Sequence, residues 1–314
     1  VIPVGGGKGG VGKTFLVANL ASALARLGFR VVAVDGDLEG ANLHTCVGVP
    51  QPQVSLADFV AHREEDLQKL LIETPIPNLQ IIAATRSNLA VPQPSHTRRV
   101  RFVRELRQIP ADFVFVDLGA GMHPAVMDYF MVGEEGIVVI APEPTSVENA
   151  YAFMRAAFYR RLRLGMVSHD VREIVTTAMD ERNERGIRTP FDLLREVESV
   201  DPDEGARFVA TMRAFRPRIV INEVRTAEDI RLGFAVGSVC RKYFGIETEY
   251  LGYVNHDATA RRAVRERRPL VHGEAGSDAA IYIDRIARKL ASEQPRTPAS
   301  DPGVALASEL ESSG

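Results

Sequence analysis

Apolar residues along this chain keep two rhythms. Short unbroken runs recur at Arg30-Val31-Val32-Ala33-Val34-Asp35, Leu79 to Ala83, Phe113 to Asp117, Ile137 to Ala141, Ile219 to Asn222 and Tyr250 to Val254. Their length and their richness in Val and Ile suit strands buried on both faces, as in a parallel sheet. Between most of them the spacing turns helical. Leu16, Val17, Leu20, Leu24 and Leu27 fall on one stripe, and Gly28 supplies a stop. This alternation predicts an α/β fold: a doubly wound, mostly parallel sheet with helices on both faces and ligands at the carboxyl ends of the strands. Pro3, inside the first apolar run (Val1 to Val4), is the irregularity, because proline gives no N–H to a ladder.

The stretch 165–215 breaks the alternation and reads as a helical insertion within a domain spanning 1–291. Val171, Ile174, Val175 and Ala178 share a face and Gly186 ends that helix; Thr189-Pro190 starts a second, and Asp201-Pro202 with Glu204 starts a third. Two readings of the insertion stand: a surface for a partner, or an elaboration of the core. Ile283, Ile286, Ala287 and Leu290 mark a last amphipathic helix from about Ser277 to Ala291, expected to cover the sheet. Residues 292–314, rich in Pro, Ser, Ala and acid, read as a disordered tail.

Directly after the first strand stands Gly5-Gly6-Gly7-Lys8-Gly9-Gly10-Val11-Gly12-Lys13-Thr14, which contains G-x-x-x-x-G-K-[ST] from Gly7 to Thr14. A strand before it and a helix after it turn this pattern into a phosphate cradle. Glycines let successive N–H groups turn inward as an anion nest, and the helix adds its positive end. The nucleotide-contacting run is then Gly7, Gly9, Gly10, Val11, Gly12, Lys13, Thr14 and Phe15, with Lys13 on the β/γ-phosphates and the Thr14 hydroxyl on Mg²⁺. Lys8 is a second lysine in a loop too short to fold both ammonium groups onto the same phosphates, so it is expected to point outward. Asp35 and Asp37 sit two apart at a strand end, on one side, facing the phosphate region. Phe113 to Asp117 is an apolar run ending in an aspartate suited to holding Mg²⁺.

These motifs resemble the deviant-Walker ATPases of the MinD/ParA family, whose signature K-G-G-x-G-K-[ST] stands here as Lys8 to Thr14. The resemblance covers roughly 1–160 and 216–291. It implies an ATP- and Mg²⁺-dependent ATPase that dimerises with itself across two nucleotides, Lys8 of each subunit reaching the phosphates held by the other. It further implies that Asp37 orients the attacking water, Asp35 supports the metal shell, and Asn42 contacts the active site or the partner subunit. Gly121 in Leu118-Gly119-Ala120-Gly121-Met122 would let a backbone N–H approach the γ-phosphate. Base recognition is expected from later loops: Pro142 in Pro-Glu-Pro-Thr, Asn222 and Arg225, and Asp257, where the family often has Pro-x-Asp. Val116 to Gly121, the Pro142 loop and Arg261 to Val264 look most like the FlhG branch, which implies regulating the position or number of a cellular structure with the help of an activating protein.

Composition narrows this picture slightly. A net charge of −3 is not that of a chain built to coat nucleic acid. Arg98, Arg99, Arg101 and Arg104, or Arg155, Arg160, Arg161 and Arg163, could still form a basic face for a ParA-like DNA role. Two distant cysteines, Cys46 and Cys240, without C-x-x-C, fit a reducing cytoplasm and no metal or disulfide framework. Residues 304–311 are too short and acidic for a membrane helix, so no direct membrane anchor is expected. His123 reads as a surface residue. A metabolic ligase or amidotransferase on the same scaffold lacks its glutaminase-like cysteine motif.

Overall fold

A computed structural model of the chain describes residues 1–84, 94–133, 135–179, 186–187 and 189–294. The strands are β1 (Ile2–Gly5), β2 (Val31–Asp35), β3 (Ile72–Glu73), β4 (Leu79–Ile82), β5 (Phe113–Asp117), β6 (Ile137–Ile140), β7 (Arg218–Val224) and β8 (Glu249–Asn255). They form one sheet in the order β3-β4-β2-β5-β1-β6-β7-β8. Every pairing is parallel except that of β3 with β4. The helices are α1 (Lys13–Arg26), α2 (Leu43–Cys46), α3 (Leu56–Val60), α4 (His96–Leu106), α5 (Pro124–Phe130), α6 (Pro144–Gly165), α7 (His169–Met179), α8 (Pro190–Val200), α9 (Pro202–Ala214), α10 (Ala227–Phe244), α11 (Ala258–Arg265), α12 (Leu270–Gly273) and α13 (Asp278–Glu293).

Strand side chains alternate between two cores. Val31, Ala33, Phe113 and Phe115 pack with Leu16, Leu20 and Leu24 of α1 and with Ile283, Ile286 and Leu290 of α13. Val32, Val34, Val114 and Val116 face Phe59, Phe102, Phe130, Phe153 and Phe158 on the other side. Helices on both faces leave no solvated side, which is why the strands are continuous apolar runs. Burying each leucine of the α1 stripe contributes about 1.5–3 kcal/mol. The last helix runs to Glu293, slightly past the expected end, and its apolar face does cover the sheet. Among the described residues no helix is long and apolar enough to cross a membrane.

Pro3 sits in a central strand without breaking a ladder. Val4 accepts from the Leu118 N–H on the β5 side. Successive residues direct their backbone groups to opposite sides, so the missing N–H of Pro3 falls toward β6, where pairing starts only at Val4.

Between β6 and β7 the chain makes α6 to α9. Thr189 forms a capping box with Asp192, Asp201 accepts from the N–H groups of Asp203 and Glu204, and Pro190 and Pro202 open their helices. Leu193, Val197, Phe208 and Phe215 pack into the same core as Phe158 and Leu162 of α6, so these helices extend one sheet-face layer. α7 is described to Met179 and Gly186 has a left-handed φ of 65°; residues 180–185, and the proposed tail from 295 on, lie outside the described residues.

Candidate functional site

β1 is the point where the connections reverse direction: the chain goes next to β2 on one side and later to β6 on the other. Crevices at such points are where open α/β sheets bind ligands. The loop after β1 fills this one. Gly10 and Gly12 adopt left-handed φ of 78° and 91°. A Cβ on Gly12 would lie 2.2 Å from Asn222 Nδ2, and one on Gly7 2.0 Å from the Asn149 carbonyl oxygen, so no larger residue fits either place. Val11 is buried and pins the loop to the core, while Gly9 faces Ala120 of the loop after β5. Gly12 starts α1 with no side-chain cap, which leaves the first-turn N–H groups for an anion.

The two loop lysines diverge. Lys13 is buried, with Nζ 3.5 Å from the Lys8 carbonyl. Burial pushes its pKa down, and the charges of Asp117 and Asp37 oppose that. Lys8 turns outward, as its place in a short loop requires, and is held there: Nζ donates to Glu143 Oε2 at 2.5 Å and to Thr145 Oγ1 at 3.1 Å. Glu143 belongs to the loop after β6 that contains Pro142, and Thr145 to the first turn of α6. That loop therefore serves Lys8, and Pro142 is not among the residues of the base-side cleft described below.

Asp35 and Asp117 are in register on adjacent strands. Each is buried, and they are in different circumstances. Asp35 accepts from the N–H groups of Asp37 (3.2 Å), Asn42 (3.1 Å) and Leu43 (3.2 Å), tying down the loop after β2. Its carboxyl is raised well above the usual range by burial first and then by the charge of Asp117. Asp117 is pushed up to about 7 by burial, against the Thr14 hydroxyl hydrogen bond and the Lys13 charge. Its Oδ1 is buried without a hydrogen-bond partner among the described residues. An orphaned carboxylate oxygen beside a threonine hydroxyl is a hard-oxygen pair that fits Mg²⁺, an ion held by one or two carboxylates plus phosphates. Asp35, with three N–H groups on it, is the weaker of the two predicted carboxylate ligands.

Asp37 closes a tight turn, its Oδ1 accepting from Glu39 N (3.1 Å) and Gly40 N (2.8 Å). It lines a hollow of about 420 Å³ with Gly119, Ala120 and His123. Asn42 is turned back on the Gly40 carbonyl at 2.5 Å. Gly121 has φ 85° with open space where a Cβ would be. His123 is exposed and caps α5, its ring accepting from Ala125 N–H.

On the other side of Gly12 lies a cleft of about 360 Å³ lined by Phe15, Asn222, Val254, Asp257, Ala260 and Val264, among others. Its volume lies within the range of small-molecule sites. Asn222 Nδ2 donates to the Val11 carbonyl at 2.8 Å, locking the loop to β7. Of the other predicted base contacts, Arg225 lies outside this cleft, its guanidinium 3.1 Å from the His256 ring. Asp257 borders the cleft but is engaged in structure. Oδ1 accepts from Thr259 N (2.8 Å) and Oγ1 (2.5 Å), Oδ2 from Ala279 N (3.3 Å), and Ser277 adds a fourth hydrogen bond. Burial alone would raise its pKa, and these hydrogen bonds bring it below the ordinary value. Sequence reasoning missed Glu143 and Thr145 as partners of Lys8, and the wall of the cleft formed by α11. The signal for the wall was Arg261 to Val264, noted only as a branch likeness.

The arginine runs are largely ion-paired. Arg98 and Arg101 meet Glu65, and Arg99 and Arg160 meet Asp128.

The profile of the CobQ/CobB/MinD/ParA nucleotide binding domain matches residues 2–270. The chain is similar to the antiactivator FleN of Pseudomonas aeruginosa, 26% identical over 295 residues that make 93% of this chain and 86% of that protein. It is likewise similar to the septum site-determining protein MinD of Synechocystis sp., 26% identical over 271 residues, 85% of this chain and 97% of that one. In fold it is similar to the septum site-determining protein MinD of Pyrococcus horikoshii complexed with Mg-ADP: TM-score 0.60, 21% identity, 92% of this chain and 94% of that chain covered.

Proposed function

The chain belongs to the CobQ/CobB/MinD/ParA nucleotide-binding family, and from that premise we propose that it is a switch that binds and hydrolyses ATP. ATP brings two copies together face to face, and the pair controls the position or number of a cellular structure. The names of the two relatives, an antiactivator and a septum site-determining protein, support a regulatory rather than a metabolic role. The observation that carries the reading is the divergence of Lys8 and Lys13 from one loop. Lys13 is committed to the pocket, among Asp37 and Asp117; Lys8 is presented at the surface by an exchangeable contact with Glu143.

The residues divide the work. The N–H groups of Gly9 to Thr14 and the Lys13 ammonium hold the phosphates. Asp37, at the mouth of the pocket, orients a water for in-line attack. Thr14 and Asp117 would hold Mg²⁺, which when bound supplies charge neutralisation to the phosphate chain. Asn222 keeps Oδ1 available to accept from a base amine because its Nδ2 is occupied by Val11. Phosphoryl transfer of this kind rests on positioning and charge. A group supplied in trans is worth on the order of 10³–10⁵ in rate at such sites, so turnover is slow until Lys8 of the second copy and an activating protein are in place.

The experiment is mass in solution with ATP and Mg²⁺, alongside phosphate release, for wild type, Lys13→Ala and Asp37→Ala. Wild type forms a dimer, Lys13→Ala stays monomeric, and Asp37→Ala dimerises without turnover. One unchanged monomer with one unchanged rate across all three would sink the reading.

A further inference from the structure

We infer that Arg261 and Arg265 form a stacking clamp for the base of the bound nucleotide. This rests on the nucleotide reading above and assigns residues that the sequence motifs leave without a role. Ala260, Arg261, Val264 and Arg265 share one face of α11, and all four line the cleft that begins at Gly12. A phosphate chain on the loop therefore leads its nucleoside toward that face, with Phe15 of α1 on the same cleft wall as Gly12.

Charge on this helix is sorted by phase. Arg262, one position away from the clamp face, pairs with Glu274, and Arg268 beyond the helix pairs with Glu266. Arg261 and Arg265 have no ion-pair or hydrogen-bond partner among the described residues. Val264 on the same helix face is 43% exposed, a branched apolar side chain left uncovered at the rim of the cleft. Two planar guanidinium groups on long apolar stems, with an isopropyl group beside them, match the flat face of a purine base. Reading of the base edge by Asp257 is closed off, because its four acceptor positions are filled by Thr259, Ser277 and Ala279. Asp257 instead fixes the start of α11 and hence the position of the clamp.

The same two positive charges would also attract phosphate, so the test separates plane from charge. Binding of Mg·ADP and of inorganic tripolyphosphate is measured by calorimetry for wild type, Arg261→Ala/Arg265→Ala and Arg261→Lys/Arg265→Lys. The clamp predicts that the alanine pair weakens ADP about 3- to 30-fold and leaves tripolyphosphate unchanged, with the lysine pair failing to restore ADP. The KM for ATP rises with kcat unchanged. Equal losses for both ligands, full recovery by lysine, or ADP affinity equal to wild type each overturns the clamp. A wild type that binds tripolyphosphate and not ADP removes the nucleotide reading and the clamp with it; a wild type that binds ADP keeps the reading whatever the variants do.

Discussion

Asp117 carries a buried carboxyl whose pKa is about 7 in the folded chain against an ordinary 3.8. The folded state therefore holds this proton more tightly than the unfolded state does. Stability falls with pH wherever the native state binds more protons, so the contribution is fully present below about pH 4 and is lost as pH rises toward 7. One pKa unit is worth about 1.4 kcal/mol, and the displacement from 3.8 to about 7 corresponds to about 4 kcal/mol at pH 8. That figure already contains the opposing pull of Lys13 and Thr14, since both act on the ionised form. Asn is a neutral isostere that never ionises. Nucleotide-free Asp117→Asn should thus be more stable than wild type by about 4 kcal/mol at pH 8 and nearly equal to it at pH 4. The same substitution should weaken the Mg²⁺ dependence of ADP binding, because a neutral amide oxygen replaces the carboxylate charge that suits Mg²⁺. Urea titrations of both proteins across pH 4–8 give the difference directly. A stability gap that is flat with pH, or Asp117→Asn less stable than wild type at pH 8, refutes the argument that burial sets this group.

Glu143→Gln frees Lys8 from its pairing in cis, and since exposed pairs are worth up to about 1 kcal/mol, the ATP concentration for half-dimerisation should fall by up to about fivefold; sedimentation at graded ATP shows it, and an unmoved midpoint means the pairing does not compete. Gly12→Ala places a methyl against Asn222 in a left-handed backbone, so it should lose at least about 1–3 kcal/mol and most ADP affinity; a variant matching wild type in both urea midpoint and calorimetry would contradict the tight approach. Asn222→Ala leaves the Val11 carbonyl without its donor and should cost about 1–3 kcal/mol, with ADP weakened; unchanged urea unfolding would show the loop is held by other means.

The alternation of apolar runs and helical stripes is a whole-chain property, and it carried the sheet, α1 and α13. Local caps carried α8 and α9, because Thr189 and Asp201 act within a few residues of themselves. Two residues of β3 make too short a run for any pattern, and its pairing is set by β4. Pro3 could not be resolved from sequence because its tolerance depends on where β6 begins to pair. In the site, the shape of the glycine loop and the place of Asp117 at the end of a buried strand were legible, since spacing and neighbours define them. The contact of Lys8 with Glu143 spans 135 positions and leaves no local trace. Asp257 reads identically as a base contact or a helix cap; only the donors around it decide. Arg261 and Arg262 are adjacent letters, and helical phase alone sends one to the cleft and the other to Glu274.

The sheet order explains why one loop can serve several tasks. Strands β2 and β5 lie on one side of β1, and β6, β7 and β8 on the other. Strand ends and loops on the first side carry Asp35, Asp37, Asp117 and Gly121; those on the second carry Glu143, Asn222 and Asp257, with α11 beyond. The paired carboxylates Asp35 and Asp117 thus lie on one side of β1, and the cleft bounded by Asn222 and α11 on the other. The first side is also where the fold is least content by itself. Two carboxylates face each other in register in a buried place, and the charge of Asp117 raises the pKa of Asp35. Asp35 is the acceptor that holds the N–H groups of Asp37, Asn42 and Leu43. An ionised acceptor makes roughly twice as strong a hydrogen bond as a neutral one. Whatever neutralises Asp117 removes the lesser of the two main causes that raise the Asp35 pKa, burial being the larger, and so moves Asp35 toward the form that holds these N–H groups more strongly.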